Sequence, residues 1–258
     1  MTRVLHAEWT KLRTTTGPAW LLGAVVLLTA AIGPAAAAAT RCPAGLTCAV
    51  DPVKLSLTGV QAGQAVVAVL GVLVVSAEYS TRMIQVTLAA VPRRGAVLGA
   101  KAACVAGLAL LAGALGVAAS ILAGRLILPG HGFAAARGFP VFSLSDGLVL
   151  RSAAGSVLYL GLIALLSAGI AALARDSAVA IGVTLGLVYL FPVVTALISN
   201  ATWQRRLERY TPMAGLNIQA TTGLRSLPIS PWAGLGVLAA WAAAALLAGG
   251  LMLRLRDA

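Results

Sequence analysis

The stretch from Ser152 to Leu173 reads S-A-A-G-S-V-L-Y-L-G-L-I-A-L-L-S-A-G-I-A-A-L and contains no charged side chain. An α-helix rises about 1.5 Å per residue, so about 20 apolar residues cross a hydrocarbon core of roughly 30 Å. The stretch therefore predicts a membrane-spanning helix, and similar runs recur along the chain. We predict six spans, at Ala19–Ala39, Gly59–Ala77, Ala102–Gly124, Ser152–Leu173, Ser177–Ser199 and Ala233–Leu253.

The composition of the whole chain agrees with a membrane location. Of the 258 residues, 60% are hydrophobic and 10% are charged, whereas about a quarter of the residues in soluble domains are charged. The longest polar stretches between the runs, at 125–151 and 200–232, are too short to close a hydrophobic core of their own. The sequence predicts an all-α integral membrane protein with a single transmembrane domain over residues 1–258.

The formal net charge of +12 raises the question of a nucleic-acid partner. The cations are scattered over every loop, and no groove that combines aromatic and basic residues is visible. Basic loops beside membrane spans instead set topology and contact anionic lipid headgroups. We therefore expect membrane lipids as partners and no nucleic acid.

The orientation of the chain rests on weak signals. The cations are almost equally divided between the two sides of the predicted membrane, so the positive-inside rule decides little. Cys42 and Cys48 share the first loop, and a disulfide between them requires an oxidising compartment. This placement favours a multi-pass protein of the cell membrane with both termini in the cytoplasm. It leaves open whether the two cysteines are bonded or free.

Residues 1–18 have the pattern of an amphipathic helix that lies along the membrane surface. Wound as a helix, they place Val4, Trp9 and Leu12 on one face and most of the cations on the other. Glu8 falls on the apolar side. An acid there favours docking against another cytoplasmic element, and a position at the lipid edge is the alternative.

The segment between the second and third spans predicts a short cytoplasmic helix from Arg82 to Val91. Ser80 or Thr81 can cap its start, and Pro92 ends it. The helix is apolar along one side and too short to span a membrane, so it requires either a protein partner or a position flat on the bilayer. Its apolar side is formed by Met83, Ile84, Val86, Leu88, Ala90 and Val91.

Two strings in these segments resemble a known family. The first is E-W-T-K-L-R at Glu8–Arg13, and the second runs from E-Y-S-T-R through V-P-R-R to A-K at Glu78–Lys101. Together with the six spans, their order and placement resemble the membrane subunits, or permeases, of type-2 ABC exporters. The resemblance covers essentially the whole chain. One departure is that Ser80-Thr81-Arg82 stands where a Gly-Thr pair often precedes the coupling helix in that family, so the start of that helix stays open.

The resemblance implies a function and a set of partners. It implies that this chain is a permease subunit that forms a substrate pathway with a second copy or a homologue, and that a separate ABC ATPase subunit drives it. The coupling helix would fit a cleft on the ATPase. From their positions in the sequence, we expect Glu8 and Glu78 to support that helix. Short re-entrant helices would follow between the fifth and sixth spans, with Tyr210, Pro212 and Gly215 as breaks. The coupling residues would be Arg82, Met83, Gln85, Val86, Leu88, Ala90, Arg93 and Arg94.

The sequence contains no motif for ATP hydrolysis or other catalysis. The segment Gly95–Lys101 has the wrong glycine spacing for a phosphate-binding loop and lacks a Ser or Thr after the lysine. His6 and His131 lie near opposite faces in the predicted topology, so they form no metal site. We therefore expect no enzyme activity, no metal and no bound cofactor in this chain, with ATP used by the partner subunit.

Two other classes of protein fit the same spans. A stand-alone channel or secondary transporter is one, although all seven acids lie at span ends or in loops, where they form no proton relay. Phe191-Pro192 in the fifth span is either a functional helix break or a simple proline kink. A structural membrane protein that transports nothing is the other class. The sequence identifies neither the substrate nor whether a dimer has identical subunits.

Overall fold

The computed structural model describes residues 9–11, 14, 16–40, 50–80, 94–131, 133 and 146–255. These residues contain six helices long and apolar enough to cross a membrane and no β-strand. The predicted all-α, six-span fold is confirmed. Trp9–Lys11 are helical as well. We call the long helices spans 1 to 6: Thr16–Ala39, Gly59–Ser80, Arg94–Ile127, Gly147–Ala174, Ser177–Ala196 and Pro231–Leu255.

Span 4 is the central helix of the bundle. It packs against spans 2, 3 and 6 and against the first part of span 5, while span 1 lies outside it against spans 2 and 3. In the most apolar stretches of spans 2 and 4, 61% of the residues are buried in the molecule, compared with 22% in spans 1 and 5. Spans 1 and 5 therefore present most of their surface to the surroundings of the bundle.

Small residues let the neighbouring helices approach span 4 closely. A Cβ atom at Gly169 would lie 2.6 Å from the backbone carbon of Ala245 in span 6, and one at Gly71 would lie 2.9 Å from the carbonyl oxygen of Ala164. Only glycine fits at such contacts. Close backbone approach through small residues is a common basis of helix packing in membranes, where lipid is as apolar as leucine.

Span 5 is not a regular α-helix along its whole length. An α-helix at Ser177–Leu185 is followed by a π-helical turn at Gly186–Leu190 and a short α-helix at Phe191–Ala196. Proline has no backbone N–H and disturbs the preceding turn. The irregular turn ends immediately before Phe191-Pro192, where the sequence predicts a break or kink.

Spans 4 and 5 are joined by Arg175 and Asp176. Arg175 ends span 4 with φ = 57°, and the Asp176 side chain accepts a hydrogen bond from the backbone N–H of Val179 at 2.8 Å, which caps span 5. The Arg175 guanidinium also donates to the carbonyl oxygen of Met252 in span 6 at 3.3 Å. We call this end of the bundle the Arg175 end. Here spans 4 and 5 are connected by a very short turn.

Short helices follow between spans 5 and 6, as predicted. Asn200 caps an amphipathic helix at Ala201–Tyr210 through the N–H groups of Thr202 and Trp203. A 3-10 helix at Pro212–Gln219 follows and packs against spans 4 and 6. We call residues 211–221 the re-entrant segment.

The predicted breaks between spans 5 and 6 fall into two kinds. Tyr210 ends the amphipathic helix, and Pro212 begins the 3-10 helix. Gly215 lies inside the 3-10 helix, where a Cβ atom would come within 2.8 Å of the Tyr159 ring. Gly215 therefore permits close packing on span 4 and does not interrupt a helix, which differs from the expectation.

Candidate functional site

The predicted coupling site falls mainly outside the described residues. Glu78 and Ser80 belong to the last turn of the span 2 helix, and Arg94 is the first helical residue of span 3. Ser80 therefore continues span 2. The coupling role stays a prediction for the residues outside the described ranges, as do the role of Glu8 and the pairing of Cys42 with Cys48. Those coupling residues are Arg82, Met83, Gln85, Val86, Leu88, Ala90 and Arg93.

The carboxylate of Asp51 joins two distant loops at the opposite end of the bundle, which we call the Asp51 end. It accepts hydrogen bonds from the N–H groups of Thr221 and Thr222 and from the Thr221 hydroxyl, at 2.7 Å for the hydroxyl and 2.9 Å for Thr222. The same carboxylate caps the helix Pro52–Ser56 through the N–H of Val53 at 3.1 Å. The segment that precedes span 2 in the sequence is therefore held to the segment that follows span 5.

Span 4 holds the same re-entrant segment from its other side. The Arg151 guanidinium donates a hydrogen bond to the carbonyl oxygen of Ala220. The Gln219 amide donates to the Ser156 hydroxyl at 3.1 Å, and Gln219 and Ser156 are both buried. Hydrogen bonds to charged groups contribute about 1.5–3 kcal/mol each. The re-entrant segment is therefore fastened by Asp51 on one side and by span 4 on the other.

Deeper in the bundle, two tyrosines connect the spans. The Tyr159 hydroxyl of span 4 donates to the side-chain oxygen of Gln64 in span 2, and the Tyr189 hydroxyl in the π-turn of span 5 donates to the carbonyl oxygen of Gln61. Gln64 is fully buried. Within the described ranges its amide nitrogen has no hydrogen-bond partner. Polar side chains at this depth are energetically costly and are found where they pack or function.

The chemistry of this polar cluster is binding and positioning. Its members in the membrane are amides, hydroxyls and backbone carbonyls, which hold a segment in place through hydrogen bonds. Among the residues that the structure describes, no three His, Cys, Asp or Glu side chains come close enough to hold a metal ion. The arrangement is a fastening between helices and loops.

A second feature is an apolar groove between spans 4, 5 and 6. Its volume is about 580 Å³, and its walls include Ile170 of span 4, Gly186 and Phe191 of span 5, and Trp241 and Ala244 of span 6. The indole N–H of Trp241 donates to the carbonyl oxygen of Tyr210 at 2.9 Å. This bond joins the groove to the end of the amphipathic helix.

Sequence reasoning missed these contacts for a physical reason. Asp51 and Thr221 are 170 residues apart in the chain, and neither belongs to a recognisable motif. Gln61 and Gln64 did offer a signal, because two amides stand in an otherwise apolar span. Nothing in the sequence identifies Tyr159 and Tyr189 as the partners of these amides.

Fold and contacts define the class of protein as a multi-pass α-helical membrane protein. No known family model matches the sequence, and no curated protein matches it. A more particular assignment therefore depends on the residues and geometry of the chain itself.

Proposed function

We propose that this chain is the permease subunit of an ATP-driven ABC exporter that works as a dimer with a separate ATPase subunit. The sequence support is the order of Glu8–Arg13 before span 1 and Glu78–Lys101 between spans 2 and 3. The structural observation that carries the proposal is the re-entrant segment between spans 5 and 6, which packs against spans 4 and 6 at the Asp51 end.

The location of the re-entrant segment suits an alternating-access transporter. A pathway that opens to one side at a time needs an end that closes in one state and opens in another. The re-entrant segment is held because its Thr221 N–H donates to Asp51, its Gln219 amide donates to Ser156, and its Ala220 carbonyl accepts a hydrogen bond from Arg151. Polar groups at a membrane boundary exchange such bonds for bonds to water, so the contact is reversible.

The predicted coupling segment lies at the other end of the same helices. Residues 81–93 connect span 2 to span 3, and both spans pack against span 4. Span 4 in turn carries the contacts to the re-entrant segment. In this proposal, closure of the ATPase subunits around ATP moves spans 2 and 3, and span 4 transmits that movement to the Asp51 end.

The proposal assigns ATP chemistry to the partner subunit. The permease contributes the pathway and the docking surface, and it binds no cofactor. The charge of Arg82, Arg93 and Arg94 would face the ATPase, while Met83, Val86 and Leu88 would fill its cleft. These roles follow from the family resemblance of the segment.

A pull-down from membranes solubilised in mild detergent tests the proposal. We expect an ATPase to co-elute with the tagged chain and to be lost when Arg82→Glu is combined with Met83→Asp. The matched control combines Arg225→Glu with Leu224→Asp, which likewise reverses one arginine charge and replaces one apolar side chain by aspartate, at exposed positions of the Asp51 end. If no ATPase co-elutes with the unaltered chain, or if the first variant retains it as well as the control does, the proposal fails.

A stand-alone channel or secondary transporter is the second candidate. The observation that favours it is the buried polar group Gln64–Tyr159 at membrane depth, together with the π-turn of span 5. Reconstitution of the purified chain alone in vesicles distinguishes the two candidates. Solute flux without ATP and without a second polypeptide would favour the stand-alone class.

A further inference from the structure

The amphipathic helix Ala201–Tyr210 has two different faces. Trp203, Leu207 and Tyr210 share one face, and Trp203 and Tyr210 are 57% and 66% exposed. The rest of the helix carries three arginines and one glutamate. A helix that combines exposed aromatic residues with arginines at the end of a membrane span is typical of the lipid–water interface.

Two contacts fix the depth of this helix. Arg209 Nε donates to the carbonyl oxygen of Pro228 at 3.1 Å, and Pro228 lies three residues before span 6 begins at Pro231. The guanidinium of Arg209 therefore lies beside the start of the span 6 helix. The Tyr210 carbonyl is bonded to Trp241, whose backbone is about 15 Å further along span 6 at about 1.5 Å per residue. The C-terminal end of the helix therefore lies beside the middle part of span 6.

Two arginines of this helix, Arg206 and Arg209, have donors available for a ligand. The Arg206 guanidinium lies 5.7 Å from the centre of the Trp203 ring. No residue that the structure describes accepts a hydrogen bond from the terminal nitrogens of Arg206 or Arg209. Guanidinium groups bind phosphate oxygens through paired N–H donors. These two side chains can therefore hold an anionic phosphate group at the membrane surface.

The apolar groove begins where the amphipathic helix ends. Trp241 lines the groove and its indole N–H donates to the Tyr210 carbonyl, so the groove adjoins the end of the helix that carries Arg206 and Arg209. The groove is formed by the last part of span 4, from Leu166 to Leu173, and by the middle parts of spans 5 and 6. Its volume of about 580 Å³ lies within the roughly 300–1,000 Å³ of small-molecule sites.

We propose that this surface binds one anionic glycerophospholipid, with an acyl chain in the groove of spans 4, 5 and 6 and the phosphate at Arg206 and Arg209. The amphipathic helix carries three cations, Arg205, Arg206 and Arg209, against the single acid Glu208. This excess favours an anionic over a zwitterionic headgroup. The inference requires only that the chain is embedded in a membrane, and it does not depend on the transport function proposed above.

Native mass spectrometry of the full chain tests headgroup preference. The probes are phosphatidylglycerol and phosphatidylcholine with identical acyl chains, titrated into the detergent-solubilised protein. One exposed cation near an anionic headgroup changes affinity about fivefold, so two favour phosphatidylglycerol by roughly 30-fold. We expect Arg206→Gln with Arg209→Gln to abolish this preference. Lys54→Gln with Arg225→Gln, which removes equal charge elsewhere at the Asp51 end, should retain it.

A second pair of variants tests the groove. Ala244→Phe places a ring in the groove, whereas Ala240→Phe adds the same ring to an exposed position of span 6 outside it. Loss of even two CH₂ contacts lowers acyl-chain affinity about tenfold. We therefore expect Ala244→Phe to lower the affinity for both lipids at least tenfold and Ala240→Phe to leave both affinities unchanged. Circular dichroism and the thermal midpoint of each variant show whether it is folded.

Three results would overturn the inference. One is equal affinity for the two lipids in the unaltered chain. Another is unchanged phosphatidylglycerol binding in both the double arginine variant and folded Ala244→Phe. The third is a dimer, detected in the same spectra without bound lipid, that Ala244→Phe dissociates and Ala240→Phe does not, because a second copy would then occupy the groove.

Discussion

Spans 4 and 5 are neighbours in the chain and differ sharply in their place in the bundle. Both are long apolar runs, and only Arg175 and Asp176 separate them. Span 4 is mostly buried among spans 2, 3 and 6, whereas most of span 5 faces outward. Hydropathy alone does not distinguish the two helices.

The difference lies in the small and polar residues. Span 4 meets its neighbours at glycines with no space for a side chain, such as Gly155 and Gly169, and it carries the hydrogen bonds of Tyr159 and Ser156. A Cβ atom added at Gly182 in span 5 would meet no atom of the described neighbours within 4 Å. In a membrane, protein-facing and lipid-facing positions are both apolar, so close packing and hydrogen bonds decide which helix is central.

We expect the largest effect on stability at Asp51, which binds the re-entrant segment that packs against span 4. Asp51→Ala removes a helix cap and three hydrogen bonds to Thr221 and Thr222, so we expect the free energy of unfolding to fall by about 3 kcal/mol. Asp176→Ala removes only the cap of span 5 and should lower it by about 1 kcal/mol. Unfolding by SDS in mixed micelles, followed by far-UV circular dichroism, measures both. Equal losses would contradict a special role for Asp51.

Glycine-to-alanine changes compare the two spans directly. Gly169→Ala forces a Cβ atom against the span 6 backbone, so we expect a loss of about 2 kcal/mol. Gly182→Ala places its methyl group in open space beside the described residues and improves helix propensity, so it should leave stability unchanged or raise it by up to about 1 kcal/mol. The same unfolding titration provides the numbers. If both variants change the free energy of unfolding equally, the inference that the two spans differ in packing is wrong.

The two tyrosine hydroxyls give a smaller contrast. Tyr159→Phe leaves the side-chain oxygen of the buried Gln64 without its donor, and we expect a loss of about 1 kcal/mol, within the range of up to about 1.7 found for hydrogen bonds between membrane helices. Tyr189→Phe removes a bond to the Gln61 backbone carbonyl from a partly exposed ring, so its loss should be about half as large. Thermal unfolding monitored by aromatic circular dichroism tests the order. A larger effect at Tyr189 would reverse it.

The sequence predicted the number and type of the spans because hydrophobic length is a local property of the chain. The short helices between spans 5 and 6 were expected from the family resemblance, which placed breaks at residues such as Pro212. The central position of span 4 was not predictable, since the relevant glycines are indistinguishable from the many others in the chain. The Asp51–Thr221 contact depends on how six helices assemble. The predicted coupling residues, from Arg82 to Arg94, are still to be tested by the binding experiment above.

The smallest effect is expected at the irregular turn of span 5. Pro192→Ala restores a backbone N–H, but it adds at most one hydrogen bond, worth about 0.6 kcal/mol on average between groups in a membrane. The π-turn Gly186–Leu190 already accommodates the proline, and span 5 has few neighbours that a straighter helix would disturb. We therefore expect a change below about 0.5 kcal/mol in the SDS titration.

A gain well above that value in Pro192→Ala would mean that the proline strains span 5 against the bundle. The helix would then be held in an unfavourable shape by contacts with spans 2 and 4, and not simply exposed beside them. The hydrogen bond from Tyr189 to Gln61 is the contact best placed to impose such a shape, because its donor Tyr189 belongs to the π-turn. Combining Pro192→Ala with Tyr189→Phe distinguishes the cases, since additive effects indicate independent sites and non-additive effects indicate coupling.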